Sequence, residues 1–238
     1  MLDDTDGGGV SRADCTLVIP AYNEEKRIQS LLRDISGFAG DIVFVCDGTD
    51  ATAEIIGAFA AEHPSLSIRC LTFPARLGKG GGVVAGMKAA ATDYVGYMDA
   101  DGSTALSEME RLFDRLATAD GAIGSRWVTG SVLTVKQGFR RRAESRLFNL
   151  LVRTLFGLDY RDTQCGAKTF RRVALDTVLP SIRSTGFEFD VELLWRLAQR
   201  GCRVVEVPIT WENRDESKVA TSDAKAMLMG MLRLRFAR

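Results

Sequence analysis

The sequence predicts an α/β fold, a mostly parallel Rossmann-like sheet with helices on both faces. Two observations carry this. From Cys15 onward, short runs rich in β-branched residues alternate with stretches of helical periodicity, which is the signature of successive βαβ units. Polar, loop-type clusters also follow each of the first four runs: "PAYNEE", "DGTD", "PARLGKGGG" and "DADGST". In such sheets ligands bind outside the carboxyl ends of the strands, so the four clusters converge on one crevice.

Taken in order, "CTLVIP" (15–20) reads as a strand, followed by an amphipathic helix from Glu24 to Ser36. "DIVFVC" (41–46) is the second strand and Ala51–Glu62 the second helix; "LSIRCLTF" (66–73) is the third strand, with a helix over Gly80–Ala91. "DYVGYM" (93–98) is the fourth, before a helix near Leu106–Ala117, and "DGAIGS" (120–125) a fifth. Past Arg126 the pattern changes. Lys136–Arg153 carries six basic residues against Glu144 alone, interleaved with Phe139, Leu147, Phe148, Leu150 and Leu151, and reads as helix. "QCGAKTF" (164–170) is a short strand or turn, "GFEFDVELLWRLAQRG" (186–201) a helix, and "CRVVEVPITWEN" (202–213) strands. Residues 1–14, acidic and Gly-rich, read as a disordered lead-in; 15–219 form the main domain, and 220–238 an amphipathic helix with only basic charges from Ala224 on.

With 238 residues and 46% apolar content the chain can bury a substantial core. A formal net charge of zero supplies no global attraction to nucleic acid, so electrostatic partners must be read from local patches. Five cysteines without a C-x-x-C pair read as reduced core residues of a cytosolic protein, not a disulfide frame or zinc site. The single histidine, His63, sits in a helix-end context and is not expected to be catalytic. No apolar leader segment and no run of 18 apolar residues is visible, so any membrane attachment is expected to be peripheral.

Asp99 and Asp101 stand at the mouth of the fourth strand. Two carboxylates so close repel, so a positive group is expected between them. Mg²⁺ and Mn²⁺ favour oxygen ligands, and Mg²⁺ commonly takes one or two carboxylates plus substrate phosphates. The plainer alternative is a turn, with Asp101 capping the next helix. Asp47, after the second strand, adds a third carboxylate to the same edge, although Asp47-Gly48-Thr49 also suits a turn and cap. "RLGKGGGVVAG" (76–86) is not a Walker loop, because Phe73 falls where a glycine is required and Gly80 replaces the hydroxyl residue after the lysine. Gly80-x-Gly82-x-x-Ala85 matches a relaxed dinucleotide fingerprint, but it follows the third strand and opens on Lys79. Gly82, Ala85 and Gly86 suit close helix–sheet packing, while Lys79 and the amides beside it suit a phosphate. Asn23-Glu24 reads first as a helix cap.

Together, "VIPAYNEE", "VCDGTDATAEI", "RLGKGGGVVAGMKAA", "YMDADGST" and "IGSRW", then "DTQCGAKTFRR", "GFEFDVELL" and "VPITWENRDESKV", resemble family 2 glycosyltransferases of the GT-A fold, specifically the polyprenyl-phosphate sugar synthases. The resemblance spans Thr16–Val219. It implies contacts to the donor's base and ribose from Pro20, Tyr22, Glu24 and Asp47, and Lys79 near the nucleotide. It implies Mg²⁺ or Mn²⁺ on Asp99 and Asp101, with Ser103 as third ligand where the mannosyl branch often has glutamine. Arg126 would face the acceptor phosphate or donor diphosphate and serve catalysis with Asp101. Arg140, Arg214 and Lys218 would contact phosphate. The implied partners are a nucleoside-diphosphate sugar, with UDP-glucose favoured over GDP-mannose, and dolichyl or polyprenyl phosphate at the cytoplasmic face of a membrane. Nucleic acid is not among them. The basic segment 136–156 and the tail 224–238 suit an anionic interface. Transfer to another acceptor and a non-enzymatic nucleotide-sugar scaffold are the rival readings.

Overall fold

A computed structural model describes residues 9–134, 139–212 and 221–236, with side chains described outside 139–147, 221–226 and 228. In chain order it contains β1 (Cys15–Ala21), α1 (Ile28–Asp34), β2 (Asp41–Cys46), α2 (Thr52–Glu62), β3 (Ser67–Thr72), α3 (Gly78–Ala89), β4 (Tyr94–Met98), α4 (Leu106–Asp114) and β5 (Gly121–Ser125). There follow β6 (Val132–Leu133), α5 (Phe139–Phe156), β7 (Ala167–Arg171), α6 (Arg172–Asp176), α7 (Phe189–Gln199), β8 (Val204–Pro208), β9 (Thr210–Trp211) and α8 (Thr221–Phe236).

Seven strands form one sheet in the order β3-β2-β1-β4-β7-β5-β8, and β6 pairs with β9 apart from it. All pairings in the large sheet are parallel except those of β7, which runs antiparallel to both β4 and β5. Side chains alternate between faces with the strand period of two, and this sorts the core into two halves. Leu17, Ile19, Ile42 and Phe44 pack with Ile28, Leu31 and Leu32 of α1, Ile56 of α2, and Met109, Leu112 and Phe113 of α4. Val18, Val43, Val45, Val95 and Tyr97 face the other way, onto Val83 and Met87 of α3 and the α7 residues Phe189, Leu193 and Leu194. Each such aliphatic or aromatic side chain is worth about 1.5–3 kcal/mol when fully buried. At Gly86 a Cβ would overlap Val18 Cγ1, so the small residues of α3 do serve close packing on the sheet.

Two features depart from the pattern expectations, and the tail helix adds a contact of its own. The first helix starts at Ile28, four residues later than expected, because Asn23 adopts φ +54° and the carbonyl of Glu24 closes a turn onto Arg27 and Ile28. Within the expected lead-in, Arg12–Asp14 forms a 3₁₀ turn, and Arg12 binds the Glu110 carbonyl at 2.9 Å and Asp114 at 2.5 Å; residues 1–8 lie outside the described residues. The tail helix α8 is not wholly solvated: Met231 is buried and Arg235 Nε donates to the Leu155 carbonyl of α5 at 3.0 Å. Among the described residues no helix is long and apolar enough to cross a membrane.

Candidate active site

The sheet order reverses between β1 and β4, and the crevice outside that point is where open α/β sheets bind ligands. Strand β4 delivers Asp99, whose N–H donates to the Gly166 carbonyl at 3.1 Å. A Cβ on Gly166 would overlap the Asp99 carboxylate, so the glycine just ahead of β7 makes room for that acid. Lys79, in the first turn of α3, places Nζ 2.9 Å from Asp99 Oδ1 and 3.5 Å from Asp190 Oδ2. The positive group beside the paired acids is therefore, in the protein itself, an ammonium.

Asp190 anchors this arrangement from the first turn of α7. Its Oδ1 accepts from Lys168 Nζ and from the Tyr97 hydroxyl, and Lys168 Nζ also donates to the Cys165 carbonyl at 2.5 Å. Lys168 and Asp190 are 0% and 1% exposed. Burial alone would raise the Asp190 carboxyl, but the ammonium groups of Lys168 and Lys79 and the two hydrogen bonds hold it below the usual carboxylate range. Burial alone would lower Lys79; the charges of Asp190 and Asp99 outweigh it and raise Lys79 above an ordinary lysine. Lys79 is thus cationic at any physiological pH.

Asp101 Oδ1 accepts the Ser103 N–H at 2.9 Å, a side-chain turn. It does not cap α4: the Leu106 N–H at that helix start goes instead to Asp34 Oδ2 at 3.0 Å. The second Asp101 oxygen accepts from no described residue. Asp99 keeps a 37% exposed side chain. Among the described residues no cluster of three or more His, Cys, Asp or Glu side chains is arranged for a metal. Two carboxylates with an open side fit a hard divalent cation that takes its remaining ligands from substrate phosphate and water. Ser103 is buried; it lines a 410 Å³ cavity with Asp34, Glu108 and Glu212, and its carbonyl accepts from Glu212 N at 3.0 Å.

The other residues singled out from the sequence gather at the same edge. Asp47, buried at the end of β2, accepts the Leu77 N–H at 2.7 Å and so fixes the loop that opens α3. Tyr22 lies beneath the Arg76 guanidinium, 4.0 Å from the ring centroid. Pro20, near the end of β1, packs under Gly82 of α3. Glu24 is buried with its carboxylate already on Arg27, at 2.6 Å. Asn23 does not cap the first helix as expected, since α1 starts at Ile28 with Arg27 at its N-cap and no side-chain cap bond; its Oδ1 instead accepts the Thr49 N–H at 2.8 Å and ties the loops after β1 and β2 together.

Arg126, one residue past β5, is clamped by Asp162: Nε and Nη2 lie 2.7 and 2.9 Å from its two oxygens, and the Arg126 N–H lies 3.0 Å away. Desolvation opposes the Asp162 charge, yet the guanidinium holds that carboxyl below its ordinary value. Burial alone would lower Arg126; the charge and hydrogen bonds of Asp162 outweigh it and raise Arg126 above an ordinary arginine, with Asp99 of the crevice a minor contributor. Arg140 lies on α5, its side chain outside the described residues, as are Arg214 and Lys218 altogether.

The residues that sequence reasoning passed over are Asp162, Gly166, Lys168 and Asp190. A usable signal existed: Lys168 and Asp190 are opposite charges embedded in apolar runs, and buried charges are paired.

A sheet switch point lined by paired acids, a lysine and a clamped arginine is the kind of α/β crevice that suits a phosphorylated ligand. The glycosyl transferase family 2 model matches residues 16–179, and the chain belongs to that family. It is 31% identical over 240 residues to a dolichyl-phosphate beta-glucosyltransferase of Dictyostelium discoideum, covering 93% of this chain and 73% of the relative. It is 34% identical over 212 residues to an undecaprenyl-phosphate mannosyltransferase of Micrococcus luteus, covering 85% and 86%. Among solved structures, glucosyl-3-phosphoglycerate synthase of Mycobacterium tuberculosis, with Mn²⁺, UDP and glucosyl-3-phosphoglycerate, superposes with TM-score 0.66 at 19% identity over 93% of this chain and 79% of that one. That likeness shows the GT-A fold.

Proposed function

We propose that the chain transfers a hexose from a nucleoside-diphosphate sugar to polyprenyl phosphate, with inversion at the anomeric carbon and UDP-glucose as the favoured donor. The observation that carries this reading is the meeting of Asp99, Asp101 and Lys79 at one crevice, with Arg126 beside it, in a family 2 chain whose relatives are named for hexosyl transfer to such lipids. The glucose preference is supported by "DADGST" and "DTQCGAKTF", which resemble the glucosyl branch.

A divalent ion on Asp99 and Asp101, Mg²⁺ or Mn²⁺, supplies charge neutralisation for the leaving diphosphate when bound. The chain's own residues do the rest. Lys79 and the amides opening α3 favour negative charge where the diphosphate develops it. Asp47, Pro20 and Tyr22 border the space for base and ribose, and Glu24 contributes there through the loop it holds. Asp162 engages Nε and Nη2 of Arg126, leaving Nη1 for the incoming phosphate, with Arg140, Arg214 and Lys218 as further phosphate contacts. A phosphate monoester has a second pKa near 6 and reaches the site as an anion, so the reaction needs no side-chain base. His63, stacked on Phe59 at the end of α2 remote from the crevice, agrees with that. The protein works at the cytoplasmic face of a membrane, where its acceptor resides.

The test is transfer of label from UDP-glucose, UDP-N-acetylglucosamine or GDP-mannose to short-chain polyprenyl phosphate with Mg²⁺ or Mn²⁺. We expect one donor to label the lipid, EDTA to abolish transfer, and the product to carry the β linkage. An α-linked product would reject the single displacement, and no transfer from any donor would reject the acceptor.

A further inference from the structure

A second cleft opens beside Trp127 and Arg161, the chain neighbours of Arg126 and Asp162. It encloses 270 Å³ and is lined by Trp127, Asn149, Leu150, Arg153 and Arg161. Pockets for drug-sized molecules run from about 300 to 1,000 Å³, so this one suits a headgroup rather than a nucleotide sugar. Asn149 is only 4% exposed. Its Oδ1 accepts both the Thr163 N–H, at 3.3 Å, and the Thr163 hydroxyl, at 3.1 Å. Because a backbone N–H can only donate, the amide orientation is fixed and Nδ2 is the remaining donor. That buried Nδ2 has no partner among the described residues, an unusual position for a buried polar group.

Two guanidinium groups share the cleft. Arg161 has no side-chain partner among the described residues; only its N–H is engaged, with Glu206. Arg153 pairs with Asp159 at 2.7 Å, but Asp159 is 93% exposed, and such a pair exchanges readily for a stronger anion. The nearby acids are Asp159, Asp162 and Glu206; the Asp162 carboxylate is held by Arg126, and Glu206 already accepts the N–H groups of Arg161 and Asp162. Leu150, 55% exposed on α5, supplies an apolar edge.

We propose that this cleft binds a phosphate monoester, presented by a lipid, outside the catalytic crevice. Arg153, Arg161 and Asn149 Nδ2 converge as donors for its oxygens, and Leu150 lies against the first carbons of the chain. Trp127 and Thr163 are each one residue from the Arg126–Asp162 clamp, so a phosphate held here stands next to the position from which it would attack. Only the lipid source rests on the proposed function; the phosphate chemistry follows from the donors.

The full chain is tested without donor sugar, by flotation with phosphatidylcholine vesicles containing either polyprenyl phosphate or phosphatidylglycerol, and by titration with inorganic phosphate alone, followed by tryptophan fluorescence. The variants are Arg153→Gln with Arg161→Gln, both at exposed positions, and Asn149→Asp, which keeps the acceptor for Thr163 and replaces the donor. The wild type should prefer polyprenyl phosphate vesicles. Each arginine change should weaken that binding about tenfold, the scale of a charge-assisted hydrogen bond, and Asn149→Asp should abolish the preference. Inorganic phosphate that displaces the vesicles in the wild type alone also supports the site. A response to inorganic phosphate without vesicle preference overturns the lipid source. Variants that match the wild type in both arms overturn the site. Failure of hexose transfer would reject the proposed function while leaving these binding results intact.

Discussion

Changing Asp190 to asparagine tests whether the buried charge network is the support of the site. Lys168 is fully buried and Asp190 is its carboxylate partner; Lys79 at 3.5 Å and the Tyr97 hydroxyl share that carboxylate. The asparagine keeps the shape but leaves the Lys168 ammonium without a counter-charge, and breaking one side of a buried pair costs about 3–5 kcal/mol. In a chain of this size each kcal/mol moves the melting temperature by about 2–4 °C, so Tm should fall by about 6–20 °C. Urea unfolding followed by circular dichroism gives the same quantity as a midpoint shift at constant slope. The matched control is Asp159→Asn, which removes the exposed partner of Arg153 and should cost no more than about 1 kcal/mol. Replacing both partners, Lys168→Met with Asp190→Leu, should recover part of the loss, since no charge is then stranded. An Asp190→Asn protein as stable as the control would refute the reasoning.

Acid should act through the same groups. Asp190, Asp162 and Glu192 are all held below their ordinary values in the fold, so their stabilisation is present above the unfolded carboxylate range near pH 4 and is lost as pH falls through their folded values; urea midpoints should be flat from pH 7 to about 5 and drop steeply below about 4. Gly166→Ala forces a Cβ into the Asp99 carboxylate and should weaken Mn²⁺ binding measured by calorimetry with UDP present by about tenfold or more, as expected when a charged ligand is displaced; unchanged affinity would remove Asp99 from the ligand set. Among the cysteines, Cys15 and Cys165 are pushed up to about 12, chiefly by burial, while the hydrogen bond shared with Cys46 lowers Cys70; alkylation at pH 8 followed by mass spectrometry should modify Cys70 before either of the others.

Legibility in the sequence followed locality. The β2 segment was readable to the residue because Ile42–Cys46 is an unbroken apolar run between Asp41 and Asp47, and the place of Asp99 and Asp101 just past β4 was readable because a strand-end carboxylate pair is a local pattern. The start of α1 was not, because an asparagine at positive φ is settled by the loop it ties to, through Thr49 and Asp50. The antiparallel course of β7 was hidden because "AKTFR" carries no mark of direction; its place depends on pairing with β4, about 70 residues earlier. Lys168 and Asp190 each look anomalous alone and make sense only when β7 and α7 bring them together. The place of Arg126 just past β5 was legible, but its clamp by Asp162 was not, since the two lie 36 positions apart.

The insertion of β7 between β4 and β5 has a consequence for biosynthesis. A ribosome that has finished β4 at Met98 must add 73 more residues, to Arg171, before β4 has its second neighbour. At about 5–20 residues per second that takes about 4–15 s. During that interval the nascent chain presents an open strand edge next to Asp99, the kind of edge that recruits other strands. Slow translation across 99–171 should therefore favour aggregation, and a chaperone acting on this chain would earn its effect within that window.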